Sequence, residues 1–295
     1  MSKTIGMIGV GLMGHGIAVN ILRNGWTLNY LRHEGNQPTE DLDALGANGL
    51  DEIRILARVS DVVILCLNGS PQVESVILPR NGLLASLRPG AVVIDCSTAV
   101  PSSTEKLARK AEEAGVRFMD AALTRTPIDA EAGRLNLLIG GDPALLEEML
   151  PLLKCFSENR FYAGPAGAGH KLKLLHSFVS LGCVTLIGEA AACAASAGIA
   201  PDVLVDVLQR GGGYGAALDR VSPFLLEGDA SQMQFSVANA RKDLDYYVYL
   251  AADSGAEHDV AAGVLHALNA LVVGGQEGRF LSETPFLFRE ITPKA

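Results

Sequence analysis

From the N-terminus to about residue 163, short apolar runs alternate with segments whose apolar residues recur at helical spacing. Residues 4–9 (TIGMIG), 27–31 (TLNYL), 62–67 (VVILCL), 91–95 (AVVID), 117–120 (RFMD) and 135–140 (LNLLIG) read as strands. Residues 15–24, 71–76 and 102–114 read as helices between them. Strand and helix in alternation imply βαβ units, and hence a parallel sheet covered by helices on both faces. After Gly164 no strand pattern stands out, and residues 169–197, 201–209, 235–254 and 260–274 read as long helices. The pattern therefore predicts an α/β fold. A Rossmann-type, doubly wound parallel sheet over 1–163 is followed by an all-α domain over 164–295, with the segment GPAGAG (164–169) at the junction.

Composition narrows this picture. A chain of 295 residues suggests about two domains. Its 48% hydrophobic content excludes a disordered chain. A net charge of −9, without a Lys/Arg cluster, argues against nucleic acid as the main partner. The five cysteines are odd in number, include no CxxC pair and lie mostly in apolar runs, so they read as free thiols of a cytoplasmic protein. Six histidines without paired-ligand spacing give no metal site. The apolar N-terminus is interrupted by glycines and reads as a strand, not a signal peptide. Residues 174–200 come nearest to a membrane span, but His176, Glu189 and many small residues make a buried helix of a soluble protein the expectation.

The strongest local signal is Gly9-Val10-Gly11-Leu12-Met13-Gly14, which follows the first strand and opens the first helix. Gly9 makes a tight turn, Gly11 lets backbone amides approach a pyrophosphate, and Gly14 lets helix pack on strand. The helix N-terminus then offers unpaired N–H groups to an anion. The second strand runs into Arg32, His33 and Glu34. Arg32 and His33 suit the 2′-phosphate of NADP, whereas Glu34 on the ribose hydroxyls would suit NAD, and the balance favours NADP.

At this point the chain resembles the β-hydroxyacid dehydrogenases, which include 3-hydroxyisobutyrate dehydrogenase, tartronate semialdehyde reductase and 6-phosphogluconate dehydrogenase. Four spaced segments carry the resemblance. GVGLMGHGIAVNIL resembles the family's glycine loop and helix, and Asp95-Cys96-Ser97-Thr98 its Asp-x-Ser-Thr turn. Residues 120–126 (DAALTRT) with 130–135 (AEAGRL) resemble Asp-Ala-Pro-Val-Ser-Gly-Gly followed by Ala-x-x-Gly-x-Leu. Residues 167–177 (GAGHKLKLLHS) resemble the helix that presents the catalytic lysine, and Lys242-Asp243-Leu244 matches a further family motif.

The resemblance implies Lys173 as general acid/base, with Thr124, Ser177 and His176 beside it. It implies Arg125, Thr126, Thr124 and Lys242 toward the substrate. Gly9, Gly11, Leu12, Met13, Gly14, Arg32, Leu67, Thr98 and Lys242 fall to the cofactor. Arg125 and Thr126 stand where the family has two glycines, and Ser177 where it has Asn. Arg125 is expected to hold a substrate anion, with a salt bridge to a neighbouring carboxylate as the alternative. His176 is balanced between a catalytic and a structural role.

Reduction of an aldehyde needs hydride on carbon and a proton on oxygen, and a lysine ammonium can supply the proton. Acting as a base near neutrality, Lys173 would need its pKa lowered from about 10.4. Helical spacing puts Lys173, His176, Ser177 and Ser180 on one face. The reading is an oxidoreductase using NADP or NAD. It interconverts a small anionic hydroxy acid and its semialdehyde or keto form, and works as a homodimer or homotetramer away from any membrane. Two alternatives stay open: an oxidative decarboxylase of the 6-phosphogluconate type, suggested by His176, and a nucleotide-binding protein without turnover.

Overall fold

The computed structural model describes residues 3–291. Eight strands form one sheet: β1 (Thr4–Ile8), β2 (Thr27–Leu31), β3 (Asn48–Leu50), β4 (Val62–Leu65), β5 (Val92–Asp95), β6 (Arg117–Thr124), β7 (Leu135–Gly140) and β8 (Ser157–Gly164). The helices that accompany them are α1 (Leu12–Arg23), α2 (Glu40–Ala44), α3 (Ile53–Val59), α4 (Ser70–Ile77), α5 (Leu83–Ser86), α6 (Pro101–Glu113), α7 (Pro127–Glu131) and α8 (Pro143–Leu153). A 29-residue helix, α9 (Ala168–Ser196), leads into α10 (Pro201–Arg210), α11 (Ala216–Glu227), α12 (Val237–Asp253), α13 (Asp259–Val273) and α14 (Thr284–Ile291). Among the described residues no strand follows β8. The chain divides into two compact units between Lys173 and Leu174.

The strand order is β3-β2-β1-β4-β5-β6-β7-β8. It reverses between β1 and β4, and an open parallel sheet binds ligands at such a reversal, beyond the C-terminal ends of the strands. Both faces of the sheet are buried, as parallel sheets require. In β4, Val62 and Ile64 join the core beneath α1 and α8, while Val63 and Leu65 join the core beneath α3 to α6. The second unit has its own apolar core, to which Leu181, Val184, Val237, Leu244, Leu268 and Leu287 contribute.

Three expectations are corrected. First, β7 runs antiparallel to β6. The connection between them, residues 125–134, holds only the five-residue α7, and a parallel return needs a crossover of about a dozen residues or more. Second, β3 and β8 escaped the apolar pattern. They are the two edge strands, so neither carries a run buried on both faces. Third, α9 is not wholly buried: Leu175, Val179 and Leu186 are about half exposed or more. It is the one helix among the described residues long and apolar enough to cross a membrane.

Candidate active site

The turn after β1 is built by glycine where backbone must touch backbone. Gly9 has φ +94°, and a Cβ there would lie 2.3 Å from the Cys66 carbonyl oxygen. A Cβ on Gly14 would lie 2.0 Å from the Gly9 carbonyl oxygen. Gly11 differs, because its nearest neighbour would be the Gly35 carbonyl oxygen at 3.9 Å. Packing within the protein therefore does not require glycine at position 11, whereas a ligand seated on the turn does. Gly11 also caps α1 without a side-chain hydrogen bond, and the first turn carries no acidic residue. Orphan N–H groups and an open approach fit a dinucleotide pyrophosphate.

Residues 32–37 are laced to this turn. Asn36 accepts from the Val10 N–H (3.2 Å) and donates to the Leu31 carbonyl (3.0 Å), while the Gln37 N–H donates to the Val10 carbonyl (2.7 Å). Arg32 is exposed and contacts Asp51 at 3.4 Å. Glu34 lies exposed in the adjoining turn. Neither Asn36 nor Asp51 carried a sequence signal, since both act through loops that meet only in the fold.

At the end of β5 and the start of α9 the side chains form one buried network. Leu67 donates its N–H to Ser97 Oγ (2.9 Å), and the Ser97 N–H donates to Asp95 Oδ1 (3.0 Å). The Ser97 carbonyl accepts from His170 Nε2 (3.0 Å). A carbonyl only accepts, so Nε2 carries a hydrogen, and Nδ1 lies 2.7 Å from Thr104 Oγ1. Asp120 caps the start of α9, accepting from the Gly167 N–H (2.7 Å) and the His170 N–H (2.8 Å). Burial pushes the Asp120 carboxyl up, against the opposing pull of His170 and of these two N–H groups. Asp120 and His170 are fully buried and fix the first turn of α9, one turn before the half-buried Lys173. Burial also pushes the neighbouring Cys66 thiol up to about 12, the nearby Asp95 adding to it, so it stays protonated.

At the end of β6, Thr124 Oγ1 accepts from Asn136 Nδ2 (3.1 Å), whose Oδ1 accepts from Asn159 Nδ2 (3.0 Å). With one lone pair engaged, the Thr124 hydroxyl still has its hydrogen to donate elsewhere. Arg125 is the one non-glycine residue with positive φ among those described, at +84°. Its backbone thus keeps the conformation that favours glycine, at a cost of about 1 kcal/mol or more. Its guanidinium donates to the Arg134 carbonyl and pairs with Glu158, the salt-bridge alternative of the sequence reading. Thr126 caps α7: its hydroxyl oxygen accepts from the Asp129 N–H while its own N–H donates to the Asp129 carboxylate, a capping box, and its hydroxyl hydrogen also goes to that carboxylate. The N–H and hydroxyl of Thr126 are thus committed to the helix.

In the second unit, Ser177 donates to the buried Asp243 (3.1 Å), and Lys242 Nζ lies 3.2 Å from the other Asp243 oxygen. Lys242 also sits 5.6 Å from the centre of the Tyr246 ring. His176 is exposed on α9. Thr98 is half-buried beside Ser97. No group of three metal-ligating side chains occurs among the described residues.

Fold and turn together define a dinucleotide-binding protein. A family profile described as the NAD binding domain of 6-phosphogluconate dehydrogenase matches residues 4–164. Another, the NAD-binding domain of NADP-dependent 3-hydroxyisobutyrate dehydrogenase, matches residues 167–281. The chain is 36% identical over 224 residues to the NAD-dependent L-serine dehydrogenase of Pseudomonas aeruginosa, covering 75% of this chain and 74% of the relative. It is 28% identical to the 2-(hydroxymethyl)glutarate dehydrogenase of Eubacterium barkeri, covering 93% and 90% of the two chains. The solved 3-hydroxyisobutyrate dehydrogenase of Salmonella typhimurium superposes with a TM-score of 0.86 at 23% identity, covering 97% of this chain and all of that one. This chain belongs to the β-hydroxyacid dehydrogenase family. It is an NAD(P)-dependent enzyme acting on CH–OH groups, which displaces the reading without turnover.

Proposed function

We propose that the protein interconverts a small carboxylate-bearing primary alcohol and its semialdehyde, with Lys173 as general acid/base and NADP as the favoured cofactor. One observation carries the reading: a lysine held on a helix whose first turn is fixed by Asp120 and His170 to the strand ends and to the Ser97 turn. L-serine and 2-(hydroxymethyl)glutarate, the substrates in two relatives' names, both bear a hydroxymethyl group on the carbon next to a carboxylate. That geometry defines the proposed substrate class.

When bound, the nicotinamide supplies or accepts the hydride. The Gly9–Gly14 turn would hold the pyrophosphate on the amides of Gly11, Leu12 and Met13, and Leu67 and Thr98 would face the nicotinamide end. Lys173, as an ammonium, delivers the proton to the carbonyl oxygen during reduction and as an amine removes it during oxidation. Thr124 donates its hydroxyl hydrogen to that oxygen or to the carboxylate. Ser177, His176 and Lys242 complete the proposed set, with Ser177 and Lys242 held by Asp243. The functional boundary is proposed at 163/164.

The substrate carboxylate is proposed to meet the N–H of Arg125 and not its guanidinium, which Glu158 already neutralises. Arg125→Gly tests this. It should keep the preference for carboxylated over neutral aldehydes within about threefold, because glycine adopts the same backbone without strain. Collapse of that preference in steady-state kinetics would return the anion to the guanidinium.

Arg32 is the proposed 2′-phosphate ligand, competing with its loose ion pair to Asp51. Arg32→Ala should lower kcat/KM with NADPH about tenfold or more and leave NADH within about twofold, since one charged hydrogen-bond partner is removed. Equal losses with both cofactors would refute the assignment. A second copy of the chain is proposed to cover the apolar stripe of Leu175, Val179 and Leu186, making a homodimer or larger homo-oligomer. Cytoplasmic residence is proposed from the five free cysteines.

A further inference from the structure

His15 sits in the first turn of α1, where its N–H makes the helix's first internal bond to the Gly11 carbonyl (2.9 Å). Its imidazole touches two carboxylates at once: Nδ1 lies 2.9 Å from Glu131 Oε1 and Nε2 lies 3.0 Å from Asp41 Oδ1. An ionised carboxylate only accepts, and a neutral imidazole has a single N–H. Both contacts can be hydrogen bonds only if the ring is an imidazolium. The helix dipoles sharpen the point. A cation in the first turn of α1 and an anion at the last residue of α7 each face the unfavourable end of their own helix. The placement makes electrostatic sense only as a pair.

The three elements joined here adjoin the glycine turn and the Thr124–Thr126 turn. The segment leading into α2 is bonded to Val10 through Asn36 and Gln37. Helix α7 follows the Thr124–Thr126 turn directly. It also touches α1 backbone to backbone, since a Cβ on Gly16 would fall 2.5 Å from the Ala130 and Glu131 main chain. Asn20 adds bonds to the Ala130 and Glu131 carbonyls.

We propose that His15, as an imidazolium, is a positioning residue for dinucleotide binding: it pins the phosphate-binding turn of α1 to α2 and α7. This rests on the reading of that turn as the pyrophosphate site. Burial alone would lower the His15 pKa, but the hydrogen bonds and charges of Glu131 and Asp41 together raise it above its ordinary 6.5. The hollow at this junction, about 510 Å³, adds only Glu40 as a further charge, its other walls being Leu12, Gln37, Pro38, Pro127 and Ile128. The remaining acids of α2 and α7 are bonded elsewhere, Asp43 to Tyr30 and Asp129 to Thr126. The clamp is therefore complete at low pH. As pH rises through the raised pKa, one N–H is lost and one carboxylate is left facing a lone pair.

The test is the Kd of NADH and NADPH, measured by titration from about pH 6 to about pH 9. Wild type, His15→Gln, His15→Lys and Glu131→Gln are compared in the same buffers, so that titration of the cofactor itself cancels. Wild-type affinity should weaken about three- to tenfold with rising pH beyond any change in His15→Gln, the size expected for one charge-assisted bond. His15→Lys, charged throughout, should lose the slope. Glu131→Gln should move its midpoint to lower pH, because one of the carboxylates that raise the pKa is gone. A slope in both His15 variants equal to that of wild type would overturn the proposal. So would a wild-type midpoint that Glu131→Gln leaves in place. Loss of melting temperature with an unchanged slope assigns His15 a merely structural role and also overturns it. Failure of wild type to bind either dinucleotide at any pH would instead overturn the reading of the turn itself.

Discussion

Lys173→Ala is expected to lower kcat by about a thousandfold while leaving the Kd for NADPH within about threefold. The expectation follows from where the lysine stands. The first turn of α9 is tied to the sheet by Asp120, which accepts two of its N–H groups, and to the Ser97 turn by His170. Removing the Lys173 side chain leaves those bonds intact, so the dinucleotide turn is untouched and only the proton carrier is lost. Arginine should not rescue the variant, because a guanidinium does not give up its proton near neutrality. Steady-state turnover and dinucleotide titration, run on the same preparation, separate the two quantities. A kcat within tenfold of wild type would remove Lys173 from the chemistry.

The second large effect belongs to the glycine turn, and two substitutions read it differently. Gly14→Ala places a methyl group 2.0 Å from the Gly9 carbonyl oxygen, backbone against backbone, so the turn or the helix must move. Unfolding in urea should show a loss of about 3 kcal/mol. The Kd for NADPH should weaken about a hundredfold, as expected for two charged hydrogen bonds spoiled by the displaced amides. Gly11→Ala meets nothing nearer than 3.9 Å. Its stability should stay within about 0.5 kcal/mol of wild type, while NADPH binding still falls because the new methyl lies on the ligand's side of the turn. Equal losses of stability in the two variants would show that Gly11 is a packing glycine after all.

What the sequence disclosed, and what it hid, has a physical pattern. Strands β1, β2, β4, β5 and β7 are interior to the sheet and largely buried, and so appear as mostly apolar runs such as VVIL. The edge strands β3 and β8 bury less: β8 begins SENR and exposes Phe161 and Tyr162, and no periodicity marks it. The glycine loop was legible because Gly9 and Gly14 answer local steric demands at fixed spacing around Gly11.

The rest of the candidate site was hidden because it is made by contacts across long stretches of chain. Asn136 reaches Thr124 across a strand pair, and Glu158 takes up the Arg125 charge from β8. His170 binds a carbonyl more than seventy residues away in sequence. His15 lay inside the best-read motif and still went unread, since its two partners come from α2 and α7. The Arg-Thr replacement of a glycine pair looked from the sequence like altered substrate recognition. In the fold, Thr126 is taken up by Asp129 and Arg125 by Glu158, and the positive φ at Arg125 keeps a glycine-like backbone.

The account is tested most directly by following the transferred hydrogen. The purified protein is given NADPH with both hydrogens of the reactive carbon replaced by deuterium, together with a panel of small carboxylated semialdehydes, and the products are analysed by mass spectrometry. At least one semialdehyde should become a hydroxy acid bearing one deuterium on the former carbonyl carbon, retaining every carboxylate carbon. Cofactor that binds but is never oxidised across the panel, or product formed without deuterium or with loss of carbon dioxide, would contradict it.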